Sequence, residues 1–160
     1  MKIATTDICD KFSEEINVAL PIGLKDFGGK KAFHGEIVTV KCFENNPFVR
    51  QTLENEGMGK VLVVDGAGSK KCALMGDNIA ELAISNGWSG IIIFGCIRDS
   101  VAVSKLPVGL KALDVVPLKS GKKNEGDVGV IVNFANIDFI PGHFVYADED
   151  GIIVSKERLH

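Results

Sequence analysis

Unbroken apolar runs, rather than a helical alternation, dominate the middle of this chain. Val61-Leu62-Val63-Val64 and Ile91-Ile92-Ile93-Phe94 are each of strand length and have no polar face. Such runs belong to strands covered on both sides, the usual condition of a parallel sheet. Between them lie a glycine-rich loop over 65–75 and a predicted helix over 77–86. Strand, helix and strand in this order predict a βαβ unit with a right-handed crossover. Upstream, Thr5-Thr6-Asp7 offers N-cap side chains to a short helix carrying Ile8 and Phe12 and ending near residue 17. The β-branched stretch 35–43 reads as a strand, and Asn46-Pro47, a cap and a first-turn proline, opens a helix to about residue 56. Downstream, strands are expected over 112–116, 128–134 and 151–154, the last after the acidic turn Asp148-Glu149-Asp150. The pattern predicts an α/β protein, with a mixed sheet or packed sheets flanked by three short helices.

Length and composition narrow this. At 160 residues the chain fits one domain, expected over 1–160, able to bury a core without disulfides or structural metal. Apolar residues make up 46% and charged residues 24%, which excludes a disordered chain. A net charge of −3 gives no general attraction to nucleic acid or to an anionic membrane. The N-terminal stretch from Met1 to Asp7 has no signal-peptide core, and no apolar run reaches membrane-spanning length. Cys9, Cys42, Cys72 and Cys96 are scattered, with no C-x-x-C pair and no histidine at zinc-site spacing, so reduced thiols in a cytosolic protein are expected.

The βαβ unit also places the candidate chemistry. The loop leaving the first strand, the start of the helix and the loop leaving the second strand share the carboxyl end of the sheet. Gly76, Asp77, Asn78 and Ile79 should therefore face Arg98 and Asp99. Free N–H groups at the helix start favour an anion, and the Arg98 guanidinium is a planar fork matched to a carboxylate. Asp99, with Asp77 in support, offers hard oxygen ligands for Mg²⁺ or Mn²⁺. A carboxylate beside a metal points to a 2-oxo acid. The plainer alternative is a solvated charge pair next to a helix cap.

Other features carry less. Gly66-Ala67-Gly68 follows a strand as a dinucleotide loop would, but Lys71 takes the third glycine's place and no helix starts there. His34 and His143 are expected in turns with local roles. Lys119, Lys122 and Lys123 are expected to form a solvated loop.

With these residues in view, the chain resembles the RraA-like family, which includes the regulator of ribonuclease activity A and metal-dependent 4-hydroxy-4-methyl-2-oxoglutarate aldolases. The likeness runs through Thr6-Asp7-Ile8-Cys9-Asp10, Phe27-Gly28-Gly29, residues 35–42, Val63-Val64-Asp65-Gly66, Gly95-Cys96-Ile97-Arg98-Asp99 and residues 146–151. It implies a swivelling β/β/α-type fold assembled as a homotrimer with sites at subunit interfaces. Aldolase members carry an Asp, twenty residues and then Arg-Asp, which Asp77, residues 78–97 and Arg98-Asp99 reproduce. By that resemblance Gly76 to Ile79 and Arg98 hold the pyruvate-like end of the substrate, and Asp99 positions the metal.

The resemblance further implies a lyase that cleaves 4-hydroxy-4-methyl-2-oxoglutarate and decarboxylates oxaloacetate through a pyruvate enolate. Its other branch implies a non-catalytic regulator that binds and inhibits ribonuclease E. Three positions depart from the aldolase pattern. Ser100-Val101-Ala102 supplies no further carboxylate, the chain ends at His160 without the acidic extension of longer aldolases, and His143 stands where relatives commonly have Asp. The general base is therefore unassigned, and lower metal affinity is expected.

Overall fold

The computed structural model describes residues 3–160. Met1 and Lys2, at the head of the N-terminal stretch and of the expected 1–160 domain, lie outside the described residues.

The chain runs α1 (Thr5–Lys11), β1 (Ile16–Val18), β2 (Lys25–Asp26), β3 (Phe33–Lys41), α2 (Pro47–Leu53), β4 (Val61–Asp65), β5 (Ala73–Met75), α3 (Asp77–Ser85) and β6 (Gly90–Ile97). It continues through α4 (Ser100–Ser104), β7 (Gly109–Val115), β8 (Asp127–Val128), β9 (Val132–Phe134), β10 (Ile137–Phe139), β11 (Phe144–Asp148) and β12 (Gly151–Ser155). Strands β3, β4, β6 and β7 are neighbours in that order, and every pair is parallel. Each connection advances one place through a helix, so right-handed crossovers put α2, α3 and α4 on the same face.

The period of two along the strands sorts the core into two layers. Leu62 and Val64 of β4, with Ile91 and Ile93 of β6, face the helices and pack with Val49, Leu53, Ile79, Ala83 and Val103. Val61, Val63 and Ile92 face the other way, against Val132, Phe134, Phe139, Val145 and Val154. The unbroken apolar runs are thus explained by cover on both sides: helices on one face, and on the other the β9–β10 hairpin with the β11–β12 ribbon. The result is the expected α/β fold, a mixed sheet in a β/β/α arrangement.

Strand β3 belongs to both β layers. Its first residues, Phe33 to Glu36, pair antiparallel with β11, and Ile37 to Lys41 pair parallel with β4. The Phe33 ring lies against Gly90 and Gly109, where an added Cβ would sit 2.3 and 2.2 Å from ring carbons, so only glycine can begin β6 and β7 beneath it. At the sheet's far edge Asp26 of β2 is the cross-strand partner of Lys111 of β7, and their side chains form a buried ion pair at 3.0 Å.

Several boundaries differ from expectation. α1 ends at Lys11, and Ile16 to Val18 form an edge strand on β12. Its N-cap is Ala4, because Thr5 spends both its N–H and its hydroxyl on the Asp148 carboxylate, at 2.8 and 2.7 Å. The expected strand over 128–134 is broken by Gly129 at φ +77°, so β8 joins β3 while β9 pairs with β10. A fourth helix, α4, was not expected. Its five residues, Ser-Val-Ala-Val-Ser, are β-branched at two positions and carry no helical period. His34 lies in β3 rather than in a turn, stacked on Tyr146 with centroids 5.7 Å apart. Among the described residues, no helix is long and apolar enough to cross a membrane.

Candidate functional site

The site is built where β5 re-enters the sheet. Leaving β4, the chain makes a tight loop and returns as β5 beside the far end of β6, with Ala73 opposite Cys96 and Met75 opposite Ile97. The Arg98 N–H then donates to the Met75 carbonyl at 2.9 Å. This bond locks the end of β6 to the residue before Gly76, so the two halves of the expected site meet at the carboxyl end of the sheet.

Asp99 is the N-cap residue of α4 and is left-handed, at φ 60° and ψ 39°. This conformation is uncommon outside glycine, and Asp and Asn tolerate it best. It turns the carboxylate back toward α3, where Oδ2 accepts the Asp77 N–H at 3.2 Å. Gly76 is required by close approach: an added Cβ would lie 2.2 Å from Asp99 Oδ2 and 3.2 Å from Arg98 Cγ. Among the described residues no side chain caps α3. One of its first N–H groups is thus held by Asp99, while those of Asn78 and Ile79 have no intrahelical acceptor and are open to an anion.

Gly76, Asp77, Asn78, Ile79, Arg98 and Asp99 all line one cleft of about 130 Å³. Its opposite wall was not anticipated. Asn46, Arg50, Lys119, Ser120 and Lys122 complete it, so two of the three lysines read as a solvated loop belong to the site. The Asn46 side chain does not cap α2. Its amide donates to the Leu74 carbonyl at 2.8 Å, and its oxygen accepts from Lys122 Nζ at 2.9 Å. The only sequence signal for this wall was the lysine cluster itself, since pairing between residues 118–122 and β5 is invisible to local periodicity. Larger hollows, of about 810 and 660 Å³, lie elsewhere, and neither contains any of the six expected residues.

The arrangement collects four cations and two carboxylates around a small polar cleft. It can hold an anion by Arg98 and the α3 N–H groups, with a hard oxygen donor, Asp99, alongside. Histidines and cysteines stay outside it. Burial, with Asp65 nearby, pushes the Cys42 thiol up to about 12, and burial is also the main cause that raises Cys72 and Cys96, so none of these three thiols is a ready nucleophile.

The glycine loop after β4 is closed on itself. Gly66 and Gly68 both donate to the Phe94 carbonyl, at 3.0 and 3.1 Å, and the Ala67 N–H goes to Asp65 Oδ1 at 2.9 Å. Its glycines are needed for packing against Leu74 and Phe94, and its N–H groups are not free for a cofactor phosphate.

A Gly76→Ala variant should keep its fold yet lose about 100-fold in kcat/KM for whatever the cleft turns over, because the Cβ must push Asp99 aside by about 1 Å. Steady-state kinetics beside a thermal melt check this.

Known proteins resemble the chain over its full length. A protein of Alkalilimnicola ehrlichii is 50% identical over 159 residues, covering 99% of this chain and 98% of its own. One of Aromatoleum aromaticum is 49% identical with 99% of each chain covered. Both are provisionally named 4-hydroxy-4-methyl-2-oxoglutarate aldolases. Among solved structures, the RNA-processing inhibitor RraA from Thermus thermophilis has a TM-score of 0.95 at 41% identity, covering 100% of this chain and 96% of that one. A Geobacillus kaustophilus structure described as an S-adenosylmethionine:2-dimethylmenaquinone methyltransferase has a TM-score of 0.96 at 43% identity, covering 98% and 97%. The RraA-like family model, described as Aldolase/RraA, matches residues 5–154, and the chain belongs to that family.

Proposed function

We propose that this protein is a divalent-metal-dependent lyase acting on 2-oxo acids, cleaving 4-hydroxy-4-methyl-2-oxoglutarate and decarboxylating oxaloacetate. The observation that carries the reading is the meeting of Gly76 to Ile79 with Arg98 and Asp99 in one cleft, tied by the Asp77 N–H to Asp99 bond. The names of the relatives at about half identity support the same reaction class.

The donor set fits Mg²⁺ or Mn²⁺. Among the described residues no group of three or more His, Cys, Asp or Glu side chains forms a cage. Mg²⁺ commonly takes only one or two carboxylates and fills its shell with water and substrate oxygens, so Asp99 suits it. When bound there, such an ion supplies Lewis-acid polarisation of the substrate's keto oxygen. The chain's own residues do the rest. Arg98 and the Asn78 and Ile79 N–H groups hold the C1 carboxylate and orient the C3–C4 bond for cleavage. In the aldol reaction the C4 hydroxyl loses its proton, C3–C4 breaks, and the electron pair passes into the enolate of pyruvate, which is then protonated at C3. In oxaloacetate the same bond breaks with loss of CO₂ and gives the same enolate. The second reaction needs no hydroxyl deprotonation, and no histidine lines the cleft, so this chain's residues suffice for it more readily.

A homotrimer would bring a neighbouring copy to the cleft. Val101 and Leu118, which are 70% and 55% exposed, adjoin the site segments in sequence and offer apolar surface for that contact. All four cysteines are free, in keeping with a cytoplasmic setting.

A coupled pyruvate assay with both substrates tests the proposal. Mg²⁺ or Mn²⁺ should support release well above a metal-only control, and EDTA should return it to background; no release above that control at saturating substrate sinks the reading. The likeness to the Thermus RNA-processing inhibitor favours a second reading, a regulator that binds a ribonuclease. Ribonuclease binding that is unchanged by Asp99→Asn, without pyruvate release, would select it.

A further inference from the structure

We infer that the loop over residues 118–122 is a second anion subsite of the cleft, in which Ser120 Oγ and Lys122 Nζ take the distal carboxylate of a dicarboxylic 2-oxo acid. The inference rests on the lyase reading and assigns the residues that meet the second carboxylate of its substrates.

Ser120 is the first observation. It is only 4% exposed, it lines the cleft, and among the described residues its hydroxyl oxygen has no hydrogen-bond partner. A buried hydroxyl without a partner is costly, so one retained in the wall of a site stands to gain an acceptor from a ligand. Ser120 Oγ lies just beneath the cleft surface, so donation to a carboxylate oxygen requires a small rotation of the side chain or a slight yielding of the loop.

Lys122 is the second. Its Nζ donates to Asn46 Oδ1, and Asn46 is buried and anchored through its own amide to the Leu74 carbonyl. One of three ammonium protons is thereby used for aim, and the other two remain for a ligand.

The loop that carries them is not a free surface loop. The Ala73 N–H donates to the Leu118 carbonyl at 2.8 Å, which ties the loop to β5. On the other side the Gly121 N–H donates to the Glu44 carbonyl at 2.9 Å, and the Asn46 N–H to the Gly121 carbonyl at 3.3 Å. Ser120 and Lys122 thus share the cleft with Arg98 and the start of α3, on a loop held from both sides.

Kinetics on Ser120→Ala and Lys122→Met test the inference, with pyruvate, which has no distal carboxylate, as product inhibitor. The KM for oxaloacetate should rise about tenfold or more in each variant, with kcat changed less than about threefold and the pyruvate inhibition constant unchanged. A change in both constants together, or in neither, overturns the subsite. The melting temperature of Ser120→Ala should be unchanged or higher, since an unpartnered buried hydroxyl is removed; a clear drop would mark Ser120 as structural and also overturn it.

Calorimetry of wild type and both variants with unreactive succinate and propionate separates this inference from the lyase reading. Tighter binding of succinate than of propionate, lost in both variants, upholds the subsite even if no turnover is found. Turnover without that preference overturns the subsite and leaves the lyase standing.

Discussion

Asp99→Asn should lower kcat/KM for pyruvate release by about 10³-fold, some 4 kcal/mol of transition-state stabilisation, while the melting temperature stays close to that of the native chain. The substitution is chosen for the backbone. Asp99 is left-handed at φ 60°, a conformation asparagine shares at little cost, whereas alanine would add strain to the loss of charge. An asparagine oxygen can still accept the Asp77 N–H, so the tether between α4 and the start of α3 persists. What disappears is the anionic oxygen that the proposed Mg²⁺ or Mn²⁺ would bind. Titration of Mg²⁺ or Mn²⁺ against rate should show a much weaker metal requirement curve in the variant. Full activity in Asp99→Asn would remove the cleft from consideration as a metal-dependent site. Arg98→Lys offers a complementary reading, because it retains charge but not the planar two-point fork, and should chiefly raise KM.

Lys111→Met should destabilise the fold by about 3–5 kcal/mol, the usual cost of leaving one member of a buried ion pair alone. The Lys111 and Asp26 side chains are 4% and 18% exposed, too little for water to replace the lost partner. Asp148 adds to the effect. Burial pushes its carboxyl up, but bonds from Thr5 and Asp150 together with the charge of Lys111 hold it below the ordinary carboxylate value, so removing Lys111 takes away part of that support. Urea denaturation would measure the loss. A double variant, Lys111→Met with Asp26→Leu, should recover most of it, since the buried charge is then absent altogether. If the single variant unfolds at the native midpoint, the pair contributes nothing measurable.

Elements covered on both faces were the most legible in the sequence, because Val61 to Val64 and Ile91 to Phe94 allow few other readings than buried parallel strands. Their parallel order in turn placed Asp77 near Arg98 and Asp99 before any contact was known. The missing parts failed for identifiable reasons. β5 and α4 are three and five residues long, below the length at which a period can be seen. Asn46 and Thr5 were read as caps because local chemistry favours that, but each side chain is drawn to a distant partner, Leu74 and Lys122 for the first and Asp148 for the second. The wall formed by Lys119, Ser120 and Lys122 depends on the bridge between Ala73 and Lys119, some forty-six residues apart in sequence. No local rule brings that pair together.

The double membership of β3 bears on how the molecule comes apart. Its first half completes an antiparallel ladder and its second half a parallel one, with no turn between them. Neither sheet can melt without stripping partners from the strand that borders the other. Heat or denaturant should therefore meet a single cooperative unit, in which the layer bearing the cleft and the layer behind it are lost in the same step.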